Sequence, residues 1–219
     1  MKKIKLIPFV IITCFYLNAL NAQRSTNYDV SGEWIVGVGI NIIEDNGKKF
    51  NTGSSTNFSI PVIISAEYNF TSQFSVNGSF SANKYVAGKV VDSGIIQEGR
   101  EANYSAFDVA TKFYFRDILN NYVIEPYIMG GLGYTNIGSY TVLYEKSNSN
   151  ELREIPSVGR VTLNTGIGAN YWFSRSFGMN VNFLGKFGVK SGENKDFISN
   201  QMQFSLGVFY SFKIYNWRS

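Results

Sequence analysis

The sequence predicts an all-β fold, an eight-stranded antiparallel up-and-down transmembrane β-barrel. Three observations predict it: segments of about eleven to fifteen residues that alternate apolar and polar residues, connections that are alternately short and long, and aromatic residues near the short connections. A period of two is the strand signature. Strands of soluble proteins average about five or six residues, whereas a tilted strand that crosses a bilayer needs about nine to eleven.

The N-terminal segment has the pattern of a secretory signal peptide. The basic start is followed by an apolar run from Leu6 to Leu17, which is too short to cross a membrane as a helix. We expect cleavage after Ala22, although Leu20, three residues before the bond, is larger than usual. The predicted regions are a signal peptide (1–22), a periplasmic N-terminal stub (23–32), the barrel (33–213) and a C-terminal tail (214–219).

Removal of the signal peptide takes three lysines and no acidic residue, which leaves 17 basic and 16 acidic residues. The high pI therefore belongs mostly to the signal peptide, and it gives no reason to expect a nucleic-acid partner.

Eight segments carry the strand pattern. The alternation is clearest from Phe177 to Lys190 and from Gln201 to Phe212, where one face is apolar and the other mostly polar. Glycine-rich stretches at 130–134 and 166–168 suit tight curvature and close packing inside a barrel. The predicted strands are 33–43, 58–70, 74–85, 103–115, 123–137, 159–173, 177–190 and 200–213.

The connections alternate in length. The links after the second, fourth and sixth segments are short, at 71–73, 116–122 and 174–176. Alternation of this kind is expected when one end of a barrel faces the periplasm and the other faces the exterior. The long links mix both signs of charge with Asn, Ser and Gly, so they predict solvated loops, at 44–57, 86–102, 138–158 and 191–199.

Aromatic residues gather at the short-turn end of the predicted strands. Amphipathic rings of transmembrane barrels form such a girdle at the headgroup level. The predicted girdle comprises Trp34, Phe70, Phe74, Phe115, Phe173, Phe177 and Phe212. The alternative is that these rings form the core of a soluble barrel.

The opposite parity predicts a polar lumen. Charges in a confined interior are normally paired, because unpaired ones are costly. Glu67 and Lys112 each lie three residues from a short-turn strand end, so we expect them at similar height. The predicted lumen network is Glu67, Asp108, Lys112, Glu125 and Lys186. Such a network either plugs the barrel or lines a narrow gated pore.

The absence of His excludes many activities. The chain has no His and one Cys, Cys14. A Ser-His-Asp triad, a His-ligated metal and a disulfide framework are therefore excluded, and we expect no enzyme activity, catalytic residues, metal or cofactor. A soluble lipocalin-like carrier remains the alternative fold, and a surface adhesin that acts through the loops remains an alternative function.

Three stretches, 125–134, 166–177 and 205–212, resemble the small outer-membrane β-barrel family that includes the OmpA-type transmembrane domain. The end of the signal peptide resembles those of Bacteroidetes proteins. The resemblance implies a monomer in the Gram-negative outer membrane, in contact with lipid and lipopolysaccharide. It also implies that the barrel assembly machinery and periplasmic chaperones are partners during biogenesis, with Gly207, Tyr210 and Phe212 as the assembly signal.

Overall fold

The computed structural model describes residues 29–44, 58–91, 94–119, 123–146, 149–189 and 200–214. The signal peptide, the loops at 45–57 and 190–199 and the end of the tail lie outside these residues. The strands are β1(Glu33–Glu44), β2(Phe58–Asn69), β3(Phe74–Tyr85), β4(Val90–Val91), β5(Gly94–Ile96), β6(Ala102–Tyr114), β7(Ile124–Ile137), β8(Tyr140–Lys146), β9(Ser149–Ile155), β10(Val158–Trp172), β11(Phe177–Gly188) and β12(Gln201–Lys213). One helical turn, α1(Arg116–Leu119), follows β6. No helix in these ranges is long and apolar enough to cross a membrane.

The eight long strands close into an antiparallel barrel. Their order is β1-β12-β11-β10-β7-β6-β3-β2, and β1 pairs with β12 from Glu33–Lys213 to Glu44–Met202. Closure leaves no open edge, which a spanning sheet requires because lipid offers no hydrogen-bond partners. The predicted fold class is confirmed, and the predicted strand ends differ from the observed ones by at most two residues.

The two faces of the barrel wall differ in polarity. Residues of β6 alternate between buried and exposed or half-buried along its whole length. Across the barrel, many outward positions hold large apolar side chains that are exposed, which is the polarity expected of a wall in contact with lipid. A soluble carrier would have the opposite polarity. The outward residues include Val38, Ile40, Ile64, Phe107, Val109, Leu132, Leu163, Ile167, Phe183 and Val208.

Two of the short turns share one geometry. The Thr71 hydroxyl accepts a hydrogen bond from the Phe74 amide at 2.9 Å, and the Ser174 hydroxyl accepts one from the Phe177 amide at 3.1 Å. A hydroxyl at this position mimics a backbone turn. The local sequences Thr-Ser-Gln and Ser-Arg-Ser therefore close these two hairpins by the same side-chain contact.

The links at 86–102 and 138–158 differ from the solvated loops that the sequence predicted. They contribute a second, four-stranded sheet in the order β4-β5-β8-β9. One face of this sheet buries Ile96, Tyr140, Val142 and Ile155. These side chains belong to one apolar cluster with residues from the adjoining ends of the barrel strands, namely Ile43, Tyr85, Ala102, Tyr104, Ala106 and Ile137. The two loops thus fold together because their alternating apolar residues bury a shared face.

Candidate functional site in the lumen

The lower part of the lumen, towards the short turns, is built around Glu67 on β2. Its carboxylate accepts hydrogen bonds from Lys112 Nζ at 2.6 Å, Ser75 Oγ at 2.6 Å and Tyr114 OH at 2.5 Å. All four side chains are buried. The Lys112 ammonium also lies 4.5 Å from the centre of the Tyr127 ring. The charges are therefore compensated by one ion pair and by neutral donors, as a buried charge requires.

A second ion pair crosses the lumen nearer the long loops. Lys186 Nζ on β11 lies 2.7 Å from Asp108 Oδ2 on β6, and Asn164 Nδ2 donates to Asp108 Oδ1 at 2.7 Å. Gly133 faces this group, and a Cβ at that position would collide with the carboxylate of Asp108 and with Asn164. The absence of a side chain at position 133 thus makes room for the ion pair.

A third pair lies at the lower end. Arg116 and Glu125 are fully buried, and Arg116 Nη1 lies 3.6 Å from Glu125 Oε1. The guanidinium also lies 4.0 Å from the centre of the Tyr114 ring. Sequence reasoning missed Arg116 by assigning it to a short turn. Lys112 and Tyr114 point inward, and the same alternation continued to position 116 would have predicted that Arg116 points inward as well.

The structure places all five residues of the predicted lumen network inside the barrel. Glu67 contacts Lys112 and Asp108 contacts Lys186, whereas Glu125 pairs with Arg116, which the sequence did not single out. Five further polar residues with the inward parity are buried or half-buried, namely Asn164, Asn170, Asn180, Asn182 and Gln203.

The lumen holds a small cavity. A cavity of about 40 Å³ lies between the first two ion pairs and is lined by Asp108, Lys112, Asn164, Gln203 and other side chains. This volume holds only a few water molecules. Apolar clusters with aromatic rings lie at both ends, the lower one formed by Ile35, Trp172 and Phe209 and the upper one shared with the loop sheet.

The predicted girdle residues lie on the outer face near the short turns. Phe70, Phe74 and Phe177 are exposed, and the other four are half-buried. Neighbouring rings touch around this end, and their centroid separations are 5.0 Å for Trp34–Tyr68, 5.1 Å for Phe74–Phe113, 5.5 Å for Tyr171–Phe173 and 4.8 Å for Phe177–Tyr210. The rings form a nearly continuous belt, which suits the headgroup zone.

The three residues of the predicted assembly signal lie on β12. Gly207 is opposite Gly39 of β1, and a Cβ on Gly39 would collide with the β12 backbone at this point. Tyr210 and Phe212 are on the outer face, with ring centroids 6.0 Å apart. Among the residues that the structure describes, no group of three or more acidic, Cys or His residues is placed to hold a metal ion.

The barrel order, the apolar outer wall and the filled polar lumen together define a small outer-membrane β-barrel fold. Solved structures of this fold are similar to the chain. Neisserial surface protein A is 14% identical over 83% of this chain and 98% of its own, with a TM-score of 0.52. The outer membrane protein OprG from Pseudomonas aeruginosa is 12% identical over 86% of this chain and 99% of its own, also with a TM-score of 0.52.

No protein-family model matches the chain. No curated protein matches it either. The similarity to solved structures therefore establishes the fold, and it assigns no ligand or partner to this chain.

Proposed function

We propose that the chain is an integral protein of the Gram-negative outer membrane, with a closed lumen and a structural and surface role. The observation that carries this proposal is the packing of the lumen. Three buried ion pairs and the two apolar clusters surround a cavity of about 40 Å³. Hydrated ions need a continuous aqueous path, and the side chains that the structure describes fill most of the lumen. Purified protein in planar bilayers should give a flat current trace, and steady single-channel currents would overturn the proposal.

The proposed orientation places the long loops outside the cell and the short turns in the periplasm, after export by a cleaved signal peptide. Exposed arginines supply a matched test, because Arg100 and Arg153 lie in the loop sheet region while Arg175 lies in a short turn. Trypsin added to intact cells should cut at the first two sites and leave the bond after Arg175 intact. Cleavage after Arg175 on intact cells would reverse the orientation.

A narrow gated pore is the second candidate. It is favoured by the polar column through the lumen, since the cavity contacts one member of each of two ion pairs, Asp108 and Lys112. If this column conducts, Glu67→Gln together with Lys112→Met, which removes both charges of one ion pair, should change conductance and ion selectivity. A flat current trace in both the variant and the wild type would leave the plugged barrel as the better account.

A surface adhesin that acts through the loops is a further candidate, favoured by the folded sheet that the loops form. Folded loops on a rigid scaffold often carry binding functions. Deletion of 88–99 together with 140–155 should abolish adhesion of the cells if the sheet binds a surface. Unchanged adhesion by a correctly assembled deletion variant would exclude this function.

The partners proposed for biogenesis are periplasmic chaperones and the barrel assembly machinery, recognised through Gly207, Tyr210 and Phe212. If Tyr210 and Phe212 form a recognition signal, replacing both with Ala should reduce the heat-modifiable folded form in the membrane. Phe204→Ala is the matched control, because Phe204 is an exposed aromatic residue on the same strand. Equal losses in the two variants would indicate a general effect of lost apolar surface.

A further inference from the structure

The outer edge of the loop sheet is formed by β9. This strand pairs with β8 from Tyr140–Ile155 to Lys146–Ser149, and it is the last strand of the sheet within the described residues. Two residues separate Lys146 from Ser149, as in a two-residue hairpin loop, so Lys146 and Ser149 exchange backbone hydrogen bonds. From there, hydrogen-bonded and non-hydrogen-bonded pairs alternate along β8 and β9. Asn150, Leu152 and Glu154 therefore direct their backbone N–H and C=O groups away from β8, towards the edge.

An apolar row crosses the sheet on the face opposite the buried cluster. Val90, Ile95, Leu143 and Leu152 are register partners across all four strands, so their side chains lie side by side. The first three are half-buried, whereas Leu152 is 65% exposed. Leu152 is at the end of the row, with an apolar neighbour on one side only. A fifth strand added at this edge would cover the Leu152 side chain.

Leu152 differs in position from the exposed apolar residues of the barrel wall. The exposed apolar residues of the barrel wall face lipid, but Leu152 lies on the loop hairpin, three residues beyond its base at Tyr140–Ile155. An open strand edge that ends in a large apolar side chain is a template for pairing with another chain. Addition of a strand to such an edge is an established mode of recognition.

The sequence of β9 indicates which strand fits. The edge reads Asn150-Glu151-Leu152-Arg153-Glu154. In an antiparallel pairing of two identical strands centred on Leu152, position 151 of each copy is opposite position 153 of the other. Glu opposite Arg occurs twice across the two-fold axis, and Leu152 meets its own counterpart. Opposite charges in such cross-strand positions are favourable.

We propose that the β9 edge binds the β9 edge of a second copy of this chain, antiparallel and centred on Leu152. The pairing joins two four-stranded sheets into one of eight strands and extends the apolar row across the two-fold axis. This proposal departs from the monomer expected from the sequence. One strand edge buries less surface than a stable dimer needs, so the association is weak and is best detected by covalent trapping.

Cysteine variants test the register directly. Cys14, in the predicted signal peptide, is the one Cys of the chain, and each variant carries Cys14→Ser so that the background has no thiol. In the proposed register the two copies of position 152 have Cα atoms about 5.5 Å apart, within the range for a disulfide. Mild oxidation of membranes that contain Leu152→Cys should therefore give a disulfide-linked dimer.

Glu154→Cys is the matched control. Position 154 is exposed, on the same strand and on the same face as Leu152. Its two copies are four residues out of register, about 13 Å apart along the strand, which is too far for a disulfide. Equal trapping of both variants, or trapping of neither, would overturn the proposal. Adducts with a protein of different mass would overturn the assignment to a second copy.

A charge swap adds an independent readout in the Leu152→Cys background. Arg153→Glu places two acidic residues opposite each other on both sides of the axis, so the yield of dimer should fall by about three- to tenfold. Glu151→Arg together with Arg153→Glu restores both opposite-charge pairs and should restore the yield. A loss that the double variant does not restore would contradict the register. Heat-modifiable gel mobility should show that every variant forms the folded barrel.

Discussion

Removal of either partner of the Glu67–Lys112 ion pair should strongly destabilise the barrel. Both side chains are 4% exposed, and their charged atoms are 2.6 Å apart. Lys112→Met leaves the Glu67 carboxylate buried with only two neutral donors, Ser75 and Tyr114. Breaking a buried pair in this way costs about 3–5 kcal/mol, because the remaining charge has no counterion. Glu67→Gln should have a similar cost, since it leaves the Lys112 ammonium uncompensated.

The double variant separates the pair from the residues themselves. Glu67→Gln together with Lys112→Met removes both charges, so it should recover most of the loss, and a neutral lumen is often as stable as an ion pair. The free energies of unfolding are measured by urea titration in phospholipid vesicles, with tryptophan fluorescence and gel mobility as probes. A coupling energy of about 2 kcal/mol or more is expected for two groups in direct contact.

The exposed pair Lys84–Glu101 is the internal control. Its atoms are 2.5 Å apart, but the side chains are 49% and 31% exposed. Lys84→Met should therefore change the unfolding free energy by only about 0–1 kcal/mol. Single variants at Glu67 or Lys112 that cost no more than this control would refute the reasoning, as would losses that simply add in the double variant.

Three further outcomes are expected. Gly131→Val should abolish the heat-modifiable folded form, because a Cβ at this position collides with the β6 backbone. Gly130→Ala, one residue away, should fold normally, because its Cβ would lie in open space. Equal behaviour of the two variants would contradict this packing. Trp172→Ala should lower the unfolding free energy by about 3–5 kcal/mol, since it empties a fully buried site against Phe209; a loss below about 1 kcal/mol would mean that the lower end repacks. In the variant Trp172→Phe/Trp217→Phe, Trp34 is the one remaining tryptophan. Brominated lipids with labels near the headgroup should quench its fluorescence more strongly than lipids labelled at the chain ends, and the reverse order would place the girdle away from the interface.

The barrel strands could be predicted because their signal is local. A period of two over more than ten residues, as in β11 and β12, can be recognised from neighbouring residues alone, without knowing which strands pair. The inward parity of Glu67 and Lys112 and their equal distance from short turns also came from local counting. The contact between them spans β3, so local counting predicts a shared height but not the distance between the two side chains.

The lumen-crossing pair and the loop sheet depend on non-local geometry. Asp108 on β6 and Lys186 on β11 are on strands that do not pair, and only the curvature of the closed barrel brings them together. β4 and β5 are two and three residues long, too short to carry a period. β4 pairs with β5, and β5 pairs with β8, which belongs to another loop, so their strand character arises from these pairings. Arg116 was missed for a simpler reason, since its inward parity continues past the end of β6.

The pairing of β5 with β8 also bears on how firmly the barrel is retained in the membrane. It joins two hairpins, β3–β6 and β7–β10, at their far ends. In the proposed orientation both hairpin tips must cross the bilayer before this pairing forms, and the pairing must break before either tip can return. The β5–β8 pairing therefore opposes extraction of the inserted barrel. Contacts that form after the rate-limiting step slow extraction without slowing insertion, so this pairing lengthens the lifetime of the inserted barrel and raises its equilibrium stability by the same factor.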